Sequence, residues 1–250
     1  MKVEGVGILT GWGRGVEALP PDARSAAAGR TVIGLGRPDY PGDRFRRVPR
    51  ECLLGIAAVD ELLRTLGRTG ATLAGSDTAL LYATASTYGA SNRLFIESAG
   101  RTLHFPYTAP SAVPAEVAIE FGLTGPYVNY IGGATATLDA IWYAGRLLDR
   151  GECARALVLA VEALEECADL YRRGRWLVRG PLVEAAGCAL LVPGGLRCVY
   201  AEGVPEPSSL DQRLGEMFAC GPLIELAASA DPPRGLTGVW RGRRSALRWI

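Results

Sequence analysis

Cysteine and histidine are the residue types best suited to metal binding or nucleophilic chemistry, and this sequence has six cysteines and one histidine. No two cysteines form a Cys-x-x-Cys pair, and His104 alone cannot complete a zinc site with them. We therefore predict no metal and no cofactor, and a packed or hydrogen-bonded ring for His104. We expect the cysteines to be buried free thiols; they are Cys52, Cys153, Cys167, Cys188, Cys198 and Cys220.

A glycine-rich run over residues 11–15 has the residue type that cradles phosphates. A dinucleotide-binding loop needs a helix that begins directly after the glycines, and Pro20 and Pro21 interrupt such a helix. We therefore interpret the run as a tight loop that follows a strand over residues 3–10.

Composition and charge exclude several classes of protein. The 250 residues are 48% hydrophobic and 21% charged, which is typical of a folded globular chain. With 27 basic and 26 acidic residues the net charge is +1, so no global field gathers nucleic acid or anionic membrane. No stretch reaches the ~18 apolar residues of a membrane span, and no apolar leader is evident. We expect a cytoplasmic protein.

The apolar pattern alternates strands with helices, which predicts an α/β layered fold with a mostly parallel sheet. The predicted strands cover residues 3–10, 77–84, 127–131, 154–161, 184–192, 197–201, 238–240 and 245–249. The predicted helices cover residues 51–68, 112–121, 134–150 and 217–230. The helix over 134–150 is apolar nearly all round, so it must lie buried between layers.

Three segments carry a resemblance to a known family. They are residues 116–126, residues 138–141 after the Gly132-Gly133 turn, and residues 155–163. In order, spacing and turn residues they resemble the β-ketoacyl synthases of the thiolase fold. The resemblance implies a thiolase-like layered fold in one compact unit, with a complete N-terminal half over residues 1–194 and a much shortened C-terminal half over residues 195–250.

Members of this family carry a cysteine on the turn at the start of the buried helix. Helix amides there lower the thiol pKa and hold the developing oxyanion. This sequence has Ala134 at the corresponding position. A methyl group cannot be acylated, so the resemblance implies that the route through an acyl-enzyme is closed.

The two catalytic histidines of the family are also missing. Residues 214–226 resemble the turn and helix that carry one of them, with Glu216 in its place. The His-Gly-Thr loop that carries the other has no counterpart, and residues 243–249 resemble the family's final strand. The resemblance thus implies a chain without the family's catalytic residues.

An inactive relative can act by pairing with an active one, as chain-length factors do when they shape the acyl tunnel of a ketosynthase. The chain also resembles the short ketosynthase-like proteins of aryl polyene biosynthesis. The resemblance implies a catalytically silent subunit whose partner is a full-length ketosynthase. The implied tunnel and dimer-interface residues are Phe105, Tyr107, Thr108, Tyr130, Ile131, Gly132 and Gly133. Alternatively, Phe105, Tyr107 and Tyr130 are plain core residues.

Clusters of arginine indicate a second partner. Acyl carrier proteins are acidic, so an arginine surface fits a docking face, with ordinary solvated surface as the commoner alternative. The candidate docking residues are Arg44, Arg46, Arg47, Arg50, Arg172, Arg173 and Arg175. We do not expect nucleic acid as a partner, because no recognised nucleic-acid module accompanies these arginines.

A rival hypothesis keeps an enzymatic activity, as an acyltransferase or hydrolase with a hydroxyl nucleophile such as Thr135 or Ser86. Such a nucleophile needs a base beside it, and one histidine in the chain leaves few choices. Stable covalent labelling of the chain by an acyl carrier protein would favour this hypothesis over a silent subunit.

Overall fold

Strands and helices make up most of the described residues, which in the computed structural model are 1–98, 102–173, 180–202, 213–229 and 235–250. The strands are β1 (Lys2–Thr10), β2 (Gly13–Arg14), β3 (Val32–Ile33), β4 (Thr78–Thr84), β5 (Tyr127–Ile131), β6 (Arg155–Glu162), β7 (Leu182–Val183), β8 (Ala185–Val192), β9 (Cys198–Tyr200), β10 (Gly235–Trp240) and β11 (Arg243–Trp249). The α-helices are α1 (Ala23–Ala27), α2 (Arg50–Leu66), α3 (Gly89–Glu97), α4 (Ala112–Phe121), α5 (Ala134–Asp149), α6 (Ala168–Arg173) and α7 (Gly221–Ala228). Two short 3-10 helices that matter below are Thr102–Thr108 and Phe218–Cys220.

The central sheet is mixed, so the prediction of a mostly parallel sheet is wrong. Its six strands lie in the order β2-β1-β8-β6-β4-β5. β4 pairs in parallel with β5 and β6, whereas β8 pairs antiparallel with β6 and β1. Parallel neighbours need crossover connections, and α3, α4 and α5 supply them between β4, β5 and β6. The chain beyond β6 instead returns to lie antiparallel beside it as β8.

Helices cover both faces of the central sheet. α2 and α4 pack together on one face, where α2 also contacts β1, β6 and β8. α5 lies on the other face against β4 and β6, and the three-stranded sheet β10-β11-β9 covers its opposite side. α5 is therefore enclosed between two sheets, which confirms the interpretation of its apolar composition.

Two apolar cores lie on the two faces of the central sheet. The core beside α2 includes Leu54, Leu62 and Tyr82, and the core around α5 includes Ile141 and Leu223. All six cysteines are buried free thiols, as predicted, and burial raises the pKa of such thiols and keeps them unreactive. Among the described residues, no helix is both long and apolar enough to cross a bilayer.

The predicted helix over residues 217–230 is divided. The 3-10 turn Phe218–Cys220 comes first, and α7 then begins with Pro222 in its first turn. Proline lacks the N–H that a helix interior needs but suits a helix start, so the α-helix begins at Gly221 and not at Met217.

Candidate functional site

Ala134 is the first residue of α5 and directly follows the Gly132-Gly133 turn. Its side chain is buried, with 7% of the residue surface exposed. Gly133 caps the helix without a side-chain hydrogen bond. The start of the buried helix therefore presents a methyl group, which can neither attack a substrate nor transfer a proton.

Strand β10 closes over this turn. A Cβ atom on Gly238 would lie 3.0 Å from the carbonyl carbon of Ala134 and 3.1 Å from its Cβ. A Cβ atom on Gly133 would overlap the ring of Trp240. Both close contacts, of Gly238 with Ala134 and of Gly133 with Trp240, require glycine at these positions. Together they bring the second sheet into contact with the first turn of α5.

A row of aromatic rings extends from Trp240. The ring of Phe218 meets that of Trp240 edge-on, with 5.3 Å between centroids, and the centroid of the Tyr171 ring lies 6.5 Å from that of Phe218. Phe218 has φ 48 and Arg241 has φ 47, a left-handed backbone that side chains other than glycine rarely adopt. Unusual backbone of this kind tends to occur at functional sites.

Glu216, at the position that the resemblance assigns to a histidine, holds the turn that follows it. Its carboxylate accepts a hydrogen bond of 3.0 Å from the backbone N–H of Phe218. Its own segment pairs with the end of β7 through a bridge to Leu182. The geometry therefore gives Glu216 a role in fixing Phe218.

Glu162 is a second carboxylate beside this turn, and sequence reasoning did not single it out. It is fully buried at the end of β6 and accepts backbone N–H bonds from Ala85, Ser86 and Ala219 at 2.5, 3.2 and 3.3 Å. Burial raises its pKa to about 7, against the lowering effect of these amides. The sequence feature that could have indicated Glu162 is a single acidic residue at the end of an otherwise apolar run of strand residues.

The strand that the interface prediction named, β5, forms one edge of the central sheet. Ile131 is 52% exposed, while Tyr130 is partly buried against the core. At the end of this strand, Ile131, Gly132 and Thr135 line a groove of about 530 Å³ together with Trp240 and arginines of the β10–β11 turn. Within the described part of the chain, β5 therefore offers an edge without a second neighbouring strand, next to a groove.

The segment that contains Phe105, Tyr107 and Thr108 packs mainly on α3 and α4. The Phe105 ring is 5.9 Å from that of Phe95, and Phe105 is 63% exposed, so the alternative that it is a core residue is wrong. Tyr107 is partly buried and donates a hydrogen bond of 3.4 Å to Glu116. His104 is partly buried in the same segment.

The predicted docking arginines occupy different surroundings. Arg44 pairs with Glu116 and Glu120, whereas Arg46 and Arg47 lie on exposed surface beside Asp43. Arg172 and Arg173 are exposed in the last turn of α6, and Arg175 lies outside the described residues.

Arg50 differs from the other arginines because its side chain is only 10% exposed. Its guanidinium donates a hydrogen bond of 2.6 Å to the buried carboxylate of Glu184. It donates another of 2.6 Å to the partly exposed carboxylate of Glu166. Its guanidinium is therefore engaged inside the fold, and Arg50 is no part of the docking surface proposed below.

Comparison with known proteins decides the family. A model of the β-ketoacyl synthase N-terminal domain matches residues 40–178, more than half of the chain. The chain belongs to the β-ketoacyl synthase family. No curated protein sequence matches this ketosynthase-like chain significantly.

Solved structures show the same fold. The ishigamide ketosynthase/chain length factor aligns over 99% of this chain and 99% of its own, with 16% identity and a TM-score of 0.73. The ketosynthase ApeO in complex with its chain length factor ApeC, from Xenorhabdus doucetiae, gives 12% identity and a TM-score of 0.64, over 99% and 98% of the two chains. The AntDE:AntF complex of a type II polyketide synthase ketosynthase and acyl-carrier protein gives 16% identity and a TM-score of 0.74, over 99% and 98%.

These alignments confirm the predicted ketosynthase-like, thiolase-like fold. Because 99% of both chains are aligned with the ishigamide structure, the matched chain has about the same length as this one. The two chains therefore share the fold over nearly their whole lengths.

Proposed function

We propose that this chain is a catalytically silent, chain-length-factor-like subunit that pairs with a full-length ketosynthase and shapes the acyl tunnel of its partner. The pathway class is fatty acid or polyketide biosynthesis, with aryl polyene formation as the narrower candidate, in the cytoplasm. The observation that carries the proposal is the methyl group of Ala134 at the start of the buried helix, where the family has its nucleophile.

The edge of the central sheet supports the pairing. Among the described residues β5 has a neighbouring strand on one side only, so its other edge presents backbone groups that a strand of a partner can pair with. Tyr127 and Ile131 at its two ends are exposed apolar side chains of the kind that interfaces bury. Exposed apolar residues also occur in α3 and in the segment that follows it, at Leu94, Ile96 and Phe105.

The structural relatives support the same reading. Two of them are ketosynthases with their chain length factors, and a third is a ketosynthase with its acyl-carrier protein. Their descriptions name both kinds of partner that we propose for this chain, a ketosynthase and an acyl-carrier protein. For the carrier protein we propose Arg44, Arg46, Arg47, Arg172 and Arg173 as the docking surface, because charge complementarity steers such encounters.

Coexpression tests the pairing. The chain is produced with a full-length ketosynthase from the same organism, and the purified material is analysed by gel filtration with mass determination. We expect a one-to-one complex. Replacement of Ile131 by Glu buries a charge in the proposed interface and should abolish the complex, whereas Val16→Glu, beyond the opposite edge of the sheet, should leave it intact.

Two results would contradict the proposal. One is a well-behaved monomer that does not bind the ketosynthase. The other is stable covalent labelling of this chain by a radiolabelled acyl carrier protein, which would instead favour the hydroxyl nucleophiles Thr135 or Ser86.

A further inference from the structure

The ring of Trp240 lies against Gly133, directly before Ala134, and the ring of Phe218 lies beside that of Trp240. We propose that Trp240 and Phe218 form a plug that keeps acyl groups out of this subunit's own site. The inference rests on the proposed function, since it says where an acyl chain in the complex cannot go. Two features would then silence the subunit independently: the missing nucleophile and the filled space.

Trp240 and Gly238 act from one face of β10. Alternate residues of a strand point to the same side, and here both point at the first turn of α5. Gly238 lets the strand backbone approach Ala134, and the Trp240 ring lies so close to Gly133 that a Cβ atom there would overlap it. Strand β10 therefore covers the Gly132-Gly133 turn and the first residue of α5.

Phe218 adds a second aromatic ring to the plug, next to that of Trp240. Its edge-on contact with Trp240 and its proximity to Tyr171 join three rings, and the two elements that carry Phe218 and Trp240 both pack on α5. Such aromatic pairs bury large areas and hold preferred geometries, so the row fills space firmly. A chain of methylene groups would have to displace at least one ring to reach residue 134.

Three hydrogen bonds hold the turn that carries Phe218. Glu216 accepts the N–H of Phe218, and Glu162 accepts the N–H of Ala219 at 3.3 Å. The hydroxyl of Thr137, on α5, donates to the carbonyl of Ala219. These bonds hold Phe218 in its left-handed conformation, with φ 48, and so aim its ring at Trp240. Glu216 and Glu162 are positioning residues for the plug.

Alkylation of an introduced thiol tests the plug. Ala134→Cys adds one cysteine beneath Trp240, and iodoacetamide is applied to the full chain, purified with its ketosynthase where coexpression is used. Mass spectrometry then measures the alkylated fraction of the peptide that contains residue 134. We expect A134C to react at least tenfold more slowly than A134C/W240A and A134C/F218A. The matched control A134C/F105A removes an exposed aromatic ring elsewhere and should stay as slow as A134C.

The outcomes are decisive in both directions. Rapid alkylation of A134C alone overturns the plug, and so does slow alkylation in both double variants. The six native cysteines are buried, so their alkylation reveals any variant that unfolds, and W240L or F218L then replaces the alanine change. Failure of the chain to bind a ketosynthase, with residue 134 behaving as expected, would overturn the proposed pairing and leave the plug standing.

Discussion

The hydroxyl of Ser86 donates a hydrogen bond of 3.2 Å to the carboxylate of Glu162. The same carboxylate accepts three backbone N–H bonds, from the loop after β4 and from Ala219. Four donors therefore surround a fully buried acid and occupy its lone pairs. In this arrangement Glu162 ties the loop after β4 to the turn that contains Ala219.

Glu162 should make stability depend on pH. Burial raises its pKa to about 7 from an ordinary value of 4.5, so the folded chain keeps a proton that the unfolded chain releases. Stability should therefore fall by roughly 3 kcal/mol as pH rises from about 4.5 to about 7, and level off above. Urea unfolding at a series of pH values measures how the free energy of unfolding changes with pH.

Glu162→Gln is the control variant for this pH dependence of the unfolding free energy. The amide cannot ionise, so the part of the pH dependence between about 4.5 and about 7 should disappear even though the variant is less stable overall. Equal slopes in the two proteins would refute the assignment.

Arg50 and Glu184 form a buried ion pair that holds neighbouring loops. Glu184 also accepts the N–H groups of Leu35 and Leu164, at 2.6 and 2.5 Å. Removal of Arg50 as Arg50→Met would leave a buried carboxylate without its cation, which costs about 3–5 kcal/mol of unfolding free energy. The control Arg46→Met changes a side chain that is 80% exposed and should alter stability by less than ~0.5 kcal/mol. Urea denaturation midpoints compare the two, and similar losses would contradict the buried pair.

The same pair sets the acid limit of the fold. Burial by itself would raise the pKa of Glu184, but Arg50 and the backbone N–H groups outweigh it and lower the pKa below 4.5. Its stabilising contribution is therefore complete above its unfolded pKa and is lost as pH falls through the lower, folded value. In Arg50→Met this acid loss should shrink, because the lowering partner is gone.

Gly238→Ala tests the contact between the second sheet and α5. The added Cβ would lie 3.0 Å from Ala134, so either β10 or the helix start must move, at a cost of about 1–3 kcal/mol. Gly36→Ala is the control, because nothing lies within 4 Å of a Cβ at that position. Thermal unfolding of the two variants should differ clearly, and an unchanged midpoint for Gly238→Ala would show that β10 does not press on the turn.

Much of the path through β5, α5 and β6 was predictable from the sequence. Gly132 and Gly133 mark the turn, and the apolar runs on either side of them are long enough to specify buried elements. The resemblance also located Ala134 at the start of the helix. Strand direction was not predictable, because a strand such as β8 has the same apolar pattern whether it lies parallel or antiparallel to β6.

The aromatic row was beyond sequence reasoning for a different reason. The left-handed conformation of Phe218 leaves no mark in the residue type, since it depends on hydrogen bonds from Glu216 and the rest of the fold. The contact of Trp240 with Gly133 joins residues more than a hundred positions apart. Arg50 looked like its surface neighbours in sequence, and only the buried Glu184 distinguishes it.

The exposed arginines near Asp43 should matter for carrier-protein binding if the proposed docking surface is used. The pair between Arg46 and Asp43 has both side chains exposed, 80% and 95%, so it holds the guanidinium only weakly and leaves it available to an acidic partner. The double variant R46E/R47E should weaken binding of an acyl carrier protein about tenfold at low salt, and less at 0.3 M salt, where screening is stronger. Fluorescence anisotropy of a labelled carrier protein on the ketosynthase complex measures this. The double variant R30E/R248E replaces two other exposed arginines and changes the net charge equally, so it is the charge-matched control; an equal loss there would mean that net charge, and not this surface, guides the encounter.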